Sequence, residues 1–179
     1  MKALCRFCFV LSVALSAFHA WGAPVPFDED FESGLSAWTT NGTWGLTTGA
    51  SRSPTHAVTD SPGTVYTNNT DAACAMSSGM DWSSLGAPAI RFYTRYALEQ
   101  YYDFVMLDVS TNAGASWTTR HTMTGNQTEW TRVQLDMRDL SFLPDVRFRF
   151  RLLTDASVVM DGFYVDNFYA GLYLHLSGT

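Results

Sequence analysis

An all-β fold, two antiparallel sheets packed as a jelly-roll sandwich, is what this sequence of 179 residues predicts. Three observations carry the prediction. Val146-Arg147-Phe148-Arg149-Phe150-Arg151-Leu152 alternates apolar and cationic without a break, the period-two signature of a strand with one dry and one wet face. Phe104 to Ser110 repeats the pattern, with Val105, Leu107 and Val109 on the core side and Asp108 and Ser110 pointing away. No stretch keeps a helical period beyond a turn or two, while short strand-like runs recur with turn signals between them, as in sandwiches and jelly rolls.

Taken in order, the expected strands are 27–32, 43–48, 56–59, 72–77, 88–98, 102–110, 116–123, 131–136, 146–153 and 162–172. Ser61-Pro62-Gly63 and Thr111-Asn112-Ala113-Gly114 are turns by chemistry, since Pro fixes φ while Asn and Gly tolerate positive φ. Residues 139–144 read as a short loop crossing a sheet edge. Ser110 to Trp117 has the form of an Asp-box hairpin with Asn112 in the Asp position, a structural device whose Trp117 is expected to pack on the core.

The first 22 residues read as a signal peptide rather than part of the fold. Lys2 and Arg6 make a basic start, Phe7 to Phe18 is apolar but too short to span a bilayer, and Ala20-Trp21-Gly22 supplies small residues for cleavage. Residues 23–179 are then one domain with no transmembrane segment, secreted, extracellular or cell-surface, or periplasmic in a Gram-negative cell. That mature chain carries nine arginines and no lysine against 17 acidic residues, a formal charge of −8. Such a balance argues against nucleic acid and anionic membranes, which need clustered cations. Cys5 and Cys8 leave with the leader, so Cys74 stands alone, no intrachain disulfide can form, and the fold must rest on its core. Cys74, inside the apolar run 72–76, is expected to be an inert core residue. Asn41, Asn68 and Asn126 begin glycosylation sequons.

No catalytic set is visible. The mature histidines, His56, His121 and His175, have unrelated spacings, and no serine sits in a nucleophile-elbow pattern. Two features remain. The acidic residues lie in short loops and at strand ends beside Asn and Gly, surroundings that favour cations over a raised pKa. Glu32 on the first strand, Asp60 before a Pro-Gly turn and Asp166 on the last strand are the expected ligands of a structural calcium ion, which needs six to eight oxygens from several segments. The other feature is a polar face made by Arg91, Tyr93 and Arg95 on one strand and Arg147 and Arg149 on another, the expected ligand-binding residues. The alternative is that these arginines pair with Asp108 and other acids on the same face.

Taken together, Asp60-Ser61-Pro62-Gly63, Tyr66, Asn68-Asn69, Glu99 with Tyr102-Asp103, Val109-Ser110-Thr111 through Trp117, Arg147-Phe148-Arg149 with Asp155, and Gly162-Phe163-Tyr164-Val165-Asp166 resemble the MAM-like domain found at the C-terminal end of immune-inhibitor-A type secreted metalloproteases and in bacterial secreted or surface proteins. The resemblance covers nearly all of residues 23–179 and implies a noncatalytic, concanavalin-like or galactose-binding-like sandwich, commonly with structural calcium. Phe163 and Asn167 depart from it, standing where Trp and Asp are frequent. The expectation is a secreted binding or adhesion module for a glycan or an extracellular protein. Two other readings stay open: a jelly-roll glycosidase or lyase using paired carboxylates, and a structural envelope or matrix protein.

Overall fold

The computed structural model describes residues 22–23 and 25–172, so the expected leader, apart from Gly22, and His175 lie outside the described residues. Eleven strands run in order: β1 (Phe27–Glu29), β2 (Trp38–Thr40), β3 (Gly45–Thr47), β4 (Ala57–Thr59), β5 (Asp71–Met76), β6 (Pro88–Ala97), β7 (Phe104–Ser110), β8 (Thr118–Met123), β9 (Asn126–Asp136), β10 (Arg147–Leu153) and β11 (Gly162–Leu172). They form two antiparallel sheets. The first has the order β3-β4-β11-β6-β9, with β1 also on β11; the second has the order β2-β5-β10-β7-β8. The only helical element among the described residues is one 3-10 turn at Arg138–Leu140, overlapping the start of the segment expected to be a loop. The chain is an all-β jelly-roll sandwich.

The core fills the gap between the sheets and is aromatic. Phe148, Phe150 and Leu152 of β10 point inward and are buried, which turns the alternating arginines of that strand outward. From the other sheet β6 contributes Ile90 and Phe92, and β11 contributes Phe163, Val165 and Phe168. Phe150 sits at the centre, with ring centroids 5.1 Å from Phe92, 5.6 Å from Phe163 and 6.0 Å from Phe168. Such edge-on and tilted pairs add to the burial of the rings themselves. Cys74 is buried on β5, where burial pushes its thiol up to about 12, as expected of an inert core residue.

Three strands differ from expectation. β1 stops at Glu29, three residues short of the expected end, because Phe31 turns out of the ladder at φ 61°, so Glu32 lies beyond the strand. β2 is three residues long and follows a turn-rich stretch, leaving too little alternation to read; its Trp38 is nonetheless buried against Phe150 and Phe168. β9 begins five residues early, at Asn126, because the register with β6 shifts between Thr94 and Tyr96 and hides the period. A second irregularity, on β11 between Asp166 and Tyr169, has Asn167 at φ 49°. The extra residue lets Val165 and Phe168 both face the core while Asp166 faces out.

Candidate binding face

On β6 the residues alternate, so Ile90, Phe92 and Thr94 are buried while Arg91, Tyr93 and Arg95 stand half-buried on the outer surface of the first sheet. On neighbouring β11, Tyr164 and Tyr169 face the same way, paired in register with Arg95 and Arg91. The result is a set of stacked guanidinium–tyrosine pairs. Arg91 lies 4.4 Å from the Tyr169 ring centre, Arg95 lies 5.4 Å from that of Tyr164, and Arg52 lies 4.8 Å from that of Tyr93. A ring beneath a guanidinium fixes its plane while leaving its N–H edges free to donate.

Arg52 reaches this face from a loop, and Asp166 explains why. The Asp166 carboxylate is buried and accepts from the backbone N–H of Arg52 at 2.6 Å, from that of Ser53 at 2.8 Å and from the Ser53 hydroxyl at 2.9 Å. It pins the loop onto the sheet and delivers Arg52 over Tyr93. Exposed Arg132 of β9 stands across from Tyr93. Shallow depressions flank the row, one against Arg91, Gln134 and Tyr169, the other of about 410 Å³ against Thr47, Gly63, Val65, Asp161 and Tyr164.

The second sheet treats its arginines otherwise. Arg147 pairs with Asp145 at 3.0 Å, Arg149 with Asp108 at 2.9 Å, and Arg151 with Asp71 at 2.6 Å. Arg151 holds the Asp71 carboxyl below its ordinary range through that hydrogen bond. Arg149 also lies 4.5 Å over Trp117. Trp117 is therefore on this outer surface and not in the core, because the β7–β8 hairpin that carries it is closed by its own polar groups: Asn112 Oδ1 accepts from the Ser116 N–H and the Ser110 hydroxyl. The five expected binding residues do not share a surface. Arg91, Tyr93 and Arg95 belong to the first sheet, Arg147 and Arg149 to the second, on opposite sides of the sandwich. Arg52 and Arg132 were missed, the first because a Ser- and Pro-rich loop gives no local signal of where it lands.

The expected calcium ligands are not one shell. Glu32 accepts from the His56 N–H at 2.7 Å, and that bond keeps its carboxyl below the usual range. Asp60 lies at the far end of β4 from His56, buried, where it accepts from the Phe163 N–H at 2.6 Å; burial pushes its carboxyl up to about 7. Asp166 and the first-strand region do meet, since the Ser53 hydroxyl touches both Asp166 and the Asp30 carbonyl. Among the described residues, the one acidic group tight enough to hold an ion is Glu99, Asp103 and Asp155, with ligand atoms within 4.8 Å of one another. Asp103 there already accepts from the Tyr66 hydroxyl and the Asp155 N–H.

Nor does a nucleophile–base pair form at His56. Its Nδ1 faces both the Thr55 hydroxyl at 2.9 Å and Glu32 at 3.3 Å, whereas a relay needs the two ring nitrogens to face different partners. No helix among the described residues is long and apolar enough to cross a membrane.

No family model matches the sequence, and no curated protein matches it. Solved structures do match at the level of fold. The K2 cleaved adhesin domain of Lys-gingipain is 15% identical, with 82% of this chain and 99% of that one aligned and a TM-score of 0.57. A family 61 carbohydrate-binding module, solved with β-1,4-galactotriose, is 14% identical over 79% of this chain and 93% of its own, with a TM-score of 0.54. The CBM22-1 xylan-binding domain of Paenibacillus barcinonensis Xyn10C is 14% identical over 86% and 97%, with a TM-score of 0.53.

Proposed function

We propose that this protein is a secreted, noncatalytic glycan-binding module whose site is the outer face of the first sheet. The observation that carries the reading is the set of guanidiniums on that face, three of them stacked on tyrosines and none engaged by a carboxylate. None of the ion pairs among the described residues includes Arg52, Arg91, Arg95 or Arg132. Cations held this way present preformed donors to a hydroxyl-rich or anionic ligand. The adhesin and carbohydrate-binding domains that share the fold support the class of ligand, and the MAM-like resemblance agrees with a noncatalytic adhesive role. Pull-down on a panel of insoluble and immobilised polysaccharides tests the reading. Retention lost in Arg91→Ser/Arg95→Ser and kept in Arg147→Ser/Arg151→Ser supports it, and retention by no polysaccharide contradicts it.

A structural calcium ion belongs to the proposal at Glu99, Asp103 and Asp155, whose ligand atoms lie within 4.8 Å of one another and where Glu99 Oε2 is buried without a hydrogen-bond partner. Glu32, Asp60 and Asp166 are not part of it. Binding only the native state stabilises by RT ln(1 + [L]/Kd), about 2.7 kcal/mol at a hundredfold excess over Kd. The melting temperature should therefore rise by several degrees from EDTA to calcium, and superimposable curves contradict the ion.

A further inference from the structure

We infer that the ligand of the first-sheet face is an anionic polysaccharide whose charge is the carboxylate of uronic acid residues. This rests on the glycan-binding reading and narrows its substrate class. Nine arginines fall among the described residues, and five of them, Arg120, Arg138, Arg147, Arg149 and Arg151, pair with carboxylates. The four that do not are Arg52, Arg91, Arg95 and Arg132, and all four are gathered on one face. In a chain of net charge −6, with more acids than cations, that separation is the unusual fact.

The acids near this face are kept from the guanidiniums. Asp166 lies beneath the loop, its Oδ2 taken by the backbone N–H groups of Arg52 and Ser53 and its Oδ1 by the Ser53 hydroxyl and the Asn167 N–H. Asp161 accepts from the Tyr164 hydroxyl at 3.1 Å. Asp136 is held by Arg138 at 2.5 Å. Asp28 stands beside Tyr169 at one corner and Glu129 on the β9 rim, and neither pairs with an arginine of the face.

The spacing suits a chain of repeating charges. Arg91 and Arg95 are four residues apart on one strand, about 13 Å at the usual rise, and Arg52 sits between them over Tyr93. A linear polymer lying along β6 would meet a cation at each step. Each planar guanidinium matches a carboxylate through two parallel hydrogen bonds. A neutral glycan would leave those charges desolvated and unpaired, which costs affinity. A cationic strip on an otherwise acidic surface also orients an incoming polyanion.

Isothermal titration of the full chain against five probes tests this: polygalacturonate, the same polymer methyl-esterified, the neutral β-1,4-galactan, a sulfated glycan, and polyglutamate. Binding of polygalacturonate, weakened at least tenfold by esterification, by higher salt, and by Arg91→Gln/Arg95→Gln at unchanged melting temperature, is the expected result. A sulfated glycan should bind no better than the uronate, and preference for sulfate overturns the carboxylate assignment. Equal binding of free acid and ester, or binding of galactan alone, overturns the anionic inference while leaving the glycan reading in place. Polyglutamate bound as well as uronate identifies an acidic-peptide site and overturns it too. No binding of any probe, with none on the wider panel, overturns both.

Discussion

The two outer faces of this sandwich are built from the same residue, yet they do different things with it. On the second sheet each outward arginine of β10 meets an aspartate within 3.0 Å, so the charges are cancelled, and Arg149 and Arg151 tie the strand to β7 and β5. On the first sheet the outward arginines of β6 meet tyrosine rings, so the geometry is fixed while the charge is left over. A guanidinium closed by a carboxylate serves the fold. One laid on a ring is held ready for something else.

Stability measurements can break that contrast. The largest loss should come from the shared core: Phe150→Ala removes a ring packed against Phe92, Phe163 and Phe168 and should cost about 3–5 kcal/mol in denaturant melts. Next comes Arg149→Ala, about 1–3 kcal/mol, because Asp108 is only 1% exposed and would keep just its Thr119 partner. Arg151→Ala should cost under ~1 kcal/mol, since its Asp71 partner is exposed. Arg91→Ala should be smallest, below ~0.5 kcal/mol, with its effect on binding instead. A larger loss from Arg91→Ala than from Arg149→Ala would reverse the assignment of the faces.

Titration sharpens the comparison at the edge of the first sheet. Burial raises the folded pKa of Asp60 to about 7, above the ordinary aspartate value of 3.8. The native state therefore holds a proton there that the unfolded chain has lost, and stability falls as pH rises from about 4 to about 7. Asp60→Asn should flatten that slope, and an unchanged slope would mean the carboxyl is ionised in the fold. Gly162 packs so closely that an added Cβ would lie 2.8 Å from the Asp60 oxygens, so Gly162→Ala is the wrong probe of the same point. The smallest expected effect is at Cys74, which should react with thiol reagents only after denaturation.

Most of the strands were legible because alternation is a local property. β10 and β11 fall where Val146–Leu152 and Gly162–Leu172 place them, and the buried phenylalanines follow from period two. Sheet membership was not legible. Arg91 and Arg149 look alike in sequence, and only long-range pairing puts β6 beside β11 and β10 beside β5 and β7. The same limit scattered the expected calcium set: Glu32 is taken by the His56 N–H at one end of β4 and Asp60 by the Phe163 N–H beyond the other, contacts that no local pattern announces. Arg52 depended on Asp166, more than a hundred residues away, and no pattern near either residue announces the contact.

The most direct test of the account is a chemical-shift titration of the side-chain Nε–H groups of arginine with oligogalacturonate. The account predicts that the resonances of Arg52, Arg91 and Arg95 move together and saturate, while those of Arg147, Arg149 and Arg151 stay where they are. Movement confined to the second set would contradict it.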